Sequence, residues 1–201
     1  MKSLLALCLS FSTVLAFAQD KPIMETYKVD TGATKVAWEG KKVTGQHSGT
    51  VNVKSGSFTL TGEVINTGEV VVDMKTIVVT DIPLDTKENK EMNAKLQGHL
   101  SSPDFFNVAK YPESKLVIKS SEKTKTGLKV KGDLTMLGKT QPIEFDAVVT
   151  KTTSDLKVKT IVVLDRTKWD LKYGSSSFFK GLADKAISND FTLTIDLAAK
   201  K

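Results

Sequence analysis

Cysteine is almost absent from this chain of 201 residues, since Cys8 is the only one. Cys8 also lies in an apolar run that we expect to be removed from the mature protein. Without cysteine the mature chain has no disulfide framework, no thiolate metal site and no cysteine nucleophile. Packing alone must therefore stabilise the fold, and a domain of this length is large enough for that.

Arginine is nearly absent as well. Arg166 is the only one, although Lys and Arg together number 29 against 23 Asp and Glu, a formal net charge of +6. Nucleic-acid binding favours arginine and a clustered basic footprint, whereas these lysines are spread along the chain. We therefore expect a solvated, lysine-rich surface and no nucleic-acid partner. Transient contact with an anionic membrane surface remains open.

Catalytic signatures are scarce. His47 and His99 are the only histidines, and they lie far apart without the spacing of a metal-binding pair. The sequence has no Gly-x-Ser-x-Gly elbow, no Walker loop and no Gly-x-Gly-x-x-Gly turn. Capping of a helix is the simpler role for the serines of residues 175–177. We predict a protein that is not an enzyme and has neither a metal nor a dedicated cofactor.

Residues 1–18 are organised like a secretory signal peptide. Lys2 supplies a basic start, residues 4–15 are mostly apolar, and Ala16–Ala18 has the small-x-small pattern of a cleavage site. The apolar run is too short for a stable membrane-spanning helix. We predict cleavage after Ala18 and a single mature domain, residues 19–201, that is periplasmic or secreted.

Apolar and polar residues alternate over much of the remaining chain. Alternation is clear in residues 35–39, 128–136, 143–149, 158–164 and 191–197. Side chains point alternately to the two faces of a strand, so each segment has one apolar face, as in antiparallel sheets. Long strands are expected over 49–65, 127–137 and 139–151, with turns at 66–68, 126–127 and 137–139. About eight such strands favour a closed barrel, because closure removes exposed edges.

Two insertions interrupt this alternation. The segment Asp85–Glu88 resembles a capping box with Asp85 as N-cap, and Met92, Leu96, His99 and Leu100 then share a helical face. Ser102-Pro103-Asp104 resembles a second helix start. Residues 174–186 form the other insertion, which is expected to contain a short helix.

The aromatic residues suggest a ligand cavity. A barrel of eight strands has room for its own side chains or for one slender ligand. Small residues on the predicted inner rows would leave space for an apolar chain; they are Gly40, Gly132, Ala147 and Thr160. Each buried methylene contributes about 0.8 kcal/mol. The predicted barrel lining consists of Trp38, Phe58, Leu134, Met136, Phe145, Trp169, Phe191 and Leu193. Phe105, Phe106, Phe178 and Phe179 are the predicted lids, and Gln46, His47 and Arg166 are the predicted contacts of a polar head group.

Several segments resemble the YceI family across essentially the whole mature chain. Residues 96–112, with Asp104-Phe105-Phe106 and Lys110-Tyr111-Pro112, are similar to its most specific motif. The segment Gly132–Thr140 resembles the family's Gly-x-Leu-Thr hairpin. Further similarity lies in residues 27–30, 36–40, 47–49 and 165–169.

The resemblance implies a lipocalin-like, extended antiparallel eight-stranded β-barrel with one or two short helical insertions, outside the cytoplasm. It also implies binding of polyisoprenoid or related amphiphilic chains in the barrel, no agreed enzymatic activity, and dimers in some members. The insertion at 174–186 departs from the better-studied members. A homodimer remains open for this chain.

We therefore predict a non-catalytic binding protein that holds an isoprenoid or similar long-chain amphiphilic lipid for transport, storage or sequestration. A structural or stress-related envelope protein with a filled barrel is the first alternative. A hydrolase with its site at the barrel mouth is the second.

Overall fold

The computed structural model describes residues 23–201, in which alternating sequence segments form nine antiparallel strands. The predicted signal peptide, residues 1–18, lies outside the described residues. The strands are β1 Met24–Val29, β2 Lys35–Lys42, β3 Gly45–Thr61, β4 Val64–Val79, β5 Glu113–Lys123, β6 Leu128–Met136, β7 Lys139–Lys151, β8 Asp155–Asp165 and β9 Ile187–Lys200. Helix α1, Lys87–Ser101, follows β4, and two 3-10 turns, Arg166–Trp169 and Ala183–Lys185, lie between β8 and β9.

The sheet closes on itself through the pairing of β3 with β4. Around the barrel the order is β3, β2, β9, β8, β7, β6, β5, β4 and back to β3. Strand β1 shares the position of β2, because it also lies between β3 and β9: Tyr27 faces Phe58, and Val29 faces Ala199. The predicted closed eight-stranded antiparallel barrel is confirmed, with one helix and two 3-10 turns.

One predicted turn is wrong. The segment Asn66–Gly68 lies inside β4, and the chain reverses earlier, at Gly62 and Glu63. Gly62 has a φ of +59°, in the left-handed region that glycine adopts without strain. Gly68 is instead a strand residue that leaves space for a neighbouring ring. The sequence pattern therefore predicts a turn at Gly68, a glycine whose role in the fold is to permit close packing.

The helical insertions also differ from the prediction. The N-cap of α1 is Thr86 rather than Asp85, and its hydroxyl accepts the Asn89 N–H at 3.1 Å. The Asp85 carboxylate accepts from the Asn89 side chain at 2.7 Å. No second helix starts at Ser102, because α1 ends there and residues 103–110 form turns in which Asn107 has a φ of +44°. In the later insertion the helical part is only the 3-10 turn Ala183–Lys185, which follows the phenylalanine pair.

The two ends of the barrel differ in their packing. The end with the turns after β3, β5 and β7, here called the closed end, is filled by inward side chains. The largest of them are fully or almost fully buried: Tyr27, Phe58, Leu60, Ile65, Leu128 and Leu156. The opposite end, here called the mouth, carries α1, the turns after β2 and β6, and the 3-10 turns. Within residues 23–201, no helix is long and apolar enough to cross a membrane.

Candidate ligand-binding cavity at the barrel mouth

The mouth half of the barrel contains a cavity of about 1200 Å³, counted to its open edge. This volume includes solvent-filled space at the open edge, so the enclosed part that could surround a ligand is smaller. Nearly all of its exposed lining is apolar. The strands contribute Val36, Trp38, Gly40, Val51, Val72, Met74, Ile77, Leu134, Met136, Leu164, Phe191 and Leu193.

Gly40 creates part of this space. Val36, Trp38 and Gly40 occupy alternate positions of β2 and therefore share its inner face. A Cβ added at Gly40 would meet no heavy atom within 4 Å. At Gly40, strand β2 thus leaves empty space in the cavity, and any larger side chain at this position would project into that space.

The structure brings five of the eight predicted lining residues to the cavity wall: Trp38, Leu134, Met136, Phe191 and Leu193. The other three lie elsewhere. Phe58 is only 3 % exposed, because its side chain points into the closed end from the last part of β3. Phe145 packs against both buried clusters, between the cavity and the closed end.

Trp169 lies behind the cavity wall, where β7 and β8 separate. These strands pair only from Ala147 to Lys151 and from Leu156 to Thr160. Beyond that point the indole of Trp169 fills the space between them, against Met136 and Leu164, and its Nε1 donates to the Leu134 carbonyl at 3.0 Å. Trp169 therefore supports the wall without lining it.

The two predicted lid pairs have different positions. Phe105 and Phe106 line the cavity from the turns that follow α1. The Phe105 ring packs edge-on against His99, at 5.3 Å between centroids, and lies 6.1 Å from Tyr173. Phe178 and Phe179 do not line the cavity, and each is 49 % exposed.

Helix α1 supplies lining residues that were not among the predicted site. Leu96, His99 and Leu100 face the cavity from the helical face that the sequence indicates. His99 also packs against Tyr173, at 4.6 Å between ring centroids, so that the cover over the mouth combines α1 with the residue just before the second insertion. The helical spacing of these residues in the sequence indicates that they share one face of α1. It does not show against which part of the barrel that face packs.

Arg166 lies at the cavity edge and is only 2 % exposed. Its guanidinium donates to the carbonyls of Ser188 (2.9 Å), Leu171 (2.6 Å) and Ile187 (3.1 Å), rather than to a carboxylate. Burial lowers the pKa of this guanidinium, and the nearby Asp165 carboxylate offsets part of the shift. Since arginine stays charged in proteins, the cavity edge carries a buried positive charge.

His47 also reaches the cavity edge, whereas Gln46 is exposed and does not line the cavity. The Nδ1 of His47 lies 2.8 Å from Oδ2 of Asp81, and the Ser48 N–H donates to Oδ1 of the same carboxylate at 3.0 Å. Burial raises the pKa of Asp81, but these two hydrogen bonds outweigh it and leave the pKa below its ordinary value. The contact orients the imidazole, with Nε2 left for other partners.

The mouth carries charges of both signs, since the Nζ of Lys41 lies 3.0 Å from the Glu39 carboxylate and Asp81 lies beside His47. Lys41, Lys42 and Arg166 line its edge, and Asp190 is the lining carboxylate. Within residues 23–201, no group of three or more His, Cys, Asp and Glu is placed to hold a metal ion. The arrangement suits an apolar chain inside and a polar or acidic group at the edge.

Solved structures share this architecture. BcnA from Burkholderia cenocepacia is 16 % identical with a TM-score of 0.61, over 85 % of this chain and 98 % of BcnA. A polyisoprenoid binding domain from Saccharophagus degradans is 13 % identical with a TM-score of 0.60, over 87 % of this chain and 97 % of that domain. At these identities the similarity shows the fold.

Sequence comparison points to the same family. Protein YceI of Escherichia coli strain UMN026 is 34 % identical over 67 residues, which are 33 % of this chain and 35 % of the relative. The match thus spans about a third of the length of that curated relative. The model of the YceI-like domain matches residues 27–199, from the first strand of the barrel to the last. The chain therefore belongs to the YceI-like domain family.

Proposed function

We propose that this protein binds an isoprenoid or similar long-chain amphiphilic lipid in the mouth cavity and carries, stores or sequesters it. The observation that carries the proposal is the cavity itself, with its almost wholly apolar lining in the mouth half of the barrel. A ligand that buried about ten methylenes there would gain roughly 8 kcal/mol from the hydrophobic effect. No charged anchor for the chain is needed.

The packing of the closed end limits how the ligand lies. Tyr27, Phe58 and Leu60 fill that half of the barrel, so the apolar chain has room only in the mouth half. The polar end of the ligand then lies at the edge, beside Arg166 and His47. Arg166 and the exposed Lys42, which forms no ion pair within residues 23–201, favour a head group that is acidic or rich in hydrogen-bond acceptors.

Two further observations support the proposal. The fold neighbour from Saccharophagus degradans is described as a polyisoprenoid binding domain. The expected signal peptide would direct the mature chain to the periplasm or the exterior, where a lipid passing between membranes needs a carrier. The proposed role is that of a binding protein rather than an enzyme.

A variant that blocks the cavity tests the proposal. Gly40→Phe places a phenyl group into the free space next to Trp38, so we expect it to abolish most lipid retention. Ala37→Phe is the matched control, because Ala37 lies on the same strand but is exposed on its outer face. Protein purified from its own host is weighed by native mass spectrometry, and its ligand is identified after organic extraction.

The expected result is a bound lipid in the wild type and in Ala37→Phe, and its loss in a folded Gly40→Phe. Wild-type protein without extractable lipid would contradict the proposal and favour a structural envelope role. Equal lipid content in the two variants would show that the lipid lies outside the cavity.

The contact between His47 and Asp81 keeps one alternative open, a hydrolase at the mouth. An aspartate that orients a histidine is the arrangement of a general base. Hydrolysis of simple esters that disappears in His47→Gln would favour this alternative. Lipid retention without turnover would favour the carrier.

A further inference from the structure

The insertion between β8 and β9 contains a closed loop, residues 175–186, here called the tip loop. Its base is joined by the Ile187 N–H, which donates to the Gly174 carbonyl at 2.8 Å. Ser175 is fully buried, and its hydroxyl lies 2.6 Å from Oδ1 of Asn189, while the Asn189 amide donates to Ser177 at 2.8 Å. The base of the loop is therefore fixed to β9.

The far part of the tip loop exposes two adjacent aromatic rings. Phe178 and Phe179 are each 49 % exposed, although Ser175 at the base of the same loop is fully buried. Single exposed apolar residues are ordinary, but an adjacent pair of large ones often marks a contact surface. Neither ring lines the cavity, so filling the barrel does not explain them.

A second apolar residue lies beside the tip loop. The Val43 N–H, at the turn between β2 and β3, donates to the Ala186 carbonyl at 3.2 Å. Val43 is 66 % exposed. The turn is thus joined to the end of the tip loop next to the cavity mouth, and Val43, Phe178 and Phe179 are here together called the apolar edge.

Positive charge surrounds this apolar edge. Lys42, Lys180 and Lys185 are exposed, and in the described part of the chain none of them forms an ion pair with a carboxylate. The Nζ of Lys172 lies 4.8 Å from the Phe178 ring centroid, but it is paired with the Asp170 carboxylate at 3.2 Å. Asp184 is the acidic residue of the tip loop. A second copy of this chain would bring the same positive charges against these lysines, which disfavours self-association through the edge.

We propose that the tip loop and the adjacent turn dock the protein on an anionic lipid bilayer. The phenyl rings enter the boundary between head groups and acyl chains, and the lysines contact acidic head groups. Aromatic rings beside lysines are typical of elements that lie in this boundary. The docking goes beyond ligand binding and places the cavity mouth beside the membrane.

Vesicle binding tests the docking. Co-sedimentation is measured with vesicles of phosphatidylcholine alone and of phosphatidylcholine mixed with phosphatidylglycerol. The wild type is expected to bind the anionic vesicles, and to bind them more weakly as salt is raised. Phe178→Ser/Phe179→Ser is expected to weaken this binding by about tenfold or more, as is Lys180→Gln/Lys185→Gln.

Ile161→Ser/Val163→Ser is the matched control. These two residues are exposed on β8 to 66 % and 60 %, at least as much as the phenylalanine pair, but they lie on the outer wall of the barrel. The control is expected to bind vesicles like the wild type. Phe179→Trp adds a direct measurement, since brominated acyl chains should quench its fluorescence on anionic vesicles.

Three outcomes would overturn the docking: no binding by the wild type, equal binding to both vesicle types, or equal loss in the control and in the phenylalanine variant. A dimer in sedimentation velocity that is lost in the phenylalanine variant would assign the edge to a second copy instead. The lipid content after extraction is measured separately, so failure of the docking leaves the ligand proposal intact.

Discussion

Phe58 lies directly opposite Gly68 across the ladder of β3 and β4, and its ring occupies the space that a Cβ at Gly68 would need. Such a Cβ would lie 2.6 Å from Cδ1 of Phe58 and 3.1 Å from the Ser57 carbonyl oxygen. In the closed end, the Phe58 ring therefore fills the space left by the absent side chain of Gly68. Phe58 and Gly68 thus belong to the packed closed end of the barrel, whereas the cavity lies in the mouth half.

Gly68→Ala is accordingly expected to destabilise the fold by about 1–3 kcal/mol, as overpacking of a filled core does. Urea unfolding followed by circular dichroism measures the change. Gly40→Ala is the control, because a Cβ there meets no atom within 4 Å. Equal costs at the two positions would show that the Phe58 contact is not the cause.

Two glycines in open space should respond in opposite directions to alanine. A Cβ at Gly98 in α1 and one at Gly62 each meet nothing within 4 Å, but Gly62 has a φ of +59°. Gly98→Ala is expected to raise the free energy of unfolding by about 0.5–1 kcal/mol through helix propensity. Gly62→Ala is expected to lower it by about 1 kcal/mol because alanine is strained in the left-handed region. The same sign at both sites would refute this reasoning.

Trp169→Phe is expected to lower the free energy of unfolding by about 1–3 kcal/mol. Phenylalanine retains an aromatic ring, but the Leu134 carbonyl loses its hydrogen bond from the indole Nε1, which lies 3.0 Å away in the wild type. Trp38→Phe is the control, since the buried Nε1 of Trp38 has no partner among the described residues. Thermal and urea unfolding should both show the larger cost at Trp169.

Acid stability should depend on Asp81. Its pKa is lower in the folded protein than its ordinary value of 3.8, because the hydrogen bonds from Ser48 and His47 outweigh burial. A depressed pKa stabilises the fold above the unfolded-state pKa, and this contribution is lost as the pH falls through the folded-state pKa. Asp81→Asn should therefore be less stable than the wild type at neutral pH, with the difference shrinking in acid.

Asp184→Asn is the control for that measurement, since Asp184 is exposed and forms no ion pair or side-chain hydrogen bond in the part of the chain that the structure describes. Its unfolding curve should follow that of the wild type at every pH. A stability difference for Asp81→Asn that stays constant from neutral to acid pH would show that the carboxylate charge is not involved.

The local alternation of apolar and polar residues was sufficient to predict the eight-stranded barrel. Alternation in β6 to β9 follows from the pleat of a strand, which is a local property. It also identifies Trp38, Leu134 and Leu193 as inward residues of their strands. It failed at Asn66–Gly68, because a glycine that allows close packing and a glycine that allows a turn look alike in a sequence.

The order of residues along the chain was enough to predict alternating strands, an eight-stranded barrel and apolar insertions. It did not show that Phe58 fills one end of the barrel while Gly40 leaves space at the other, or that Trp169 lies behind the wall, because these follow from tertiary packing. The physical reason is that alternation specifies the inner or outer face of a strand but not the height along the barrel axis. That height depends on the register between strands distant in sequence, which no local pattern encodes.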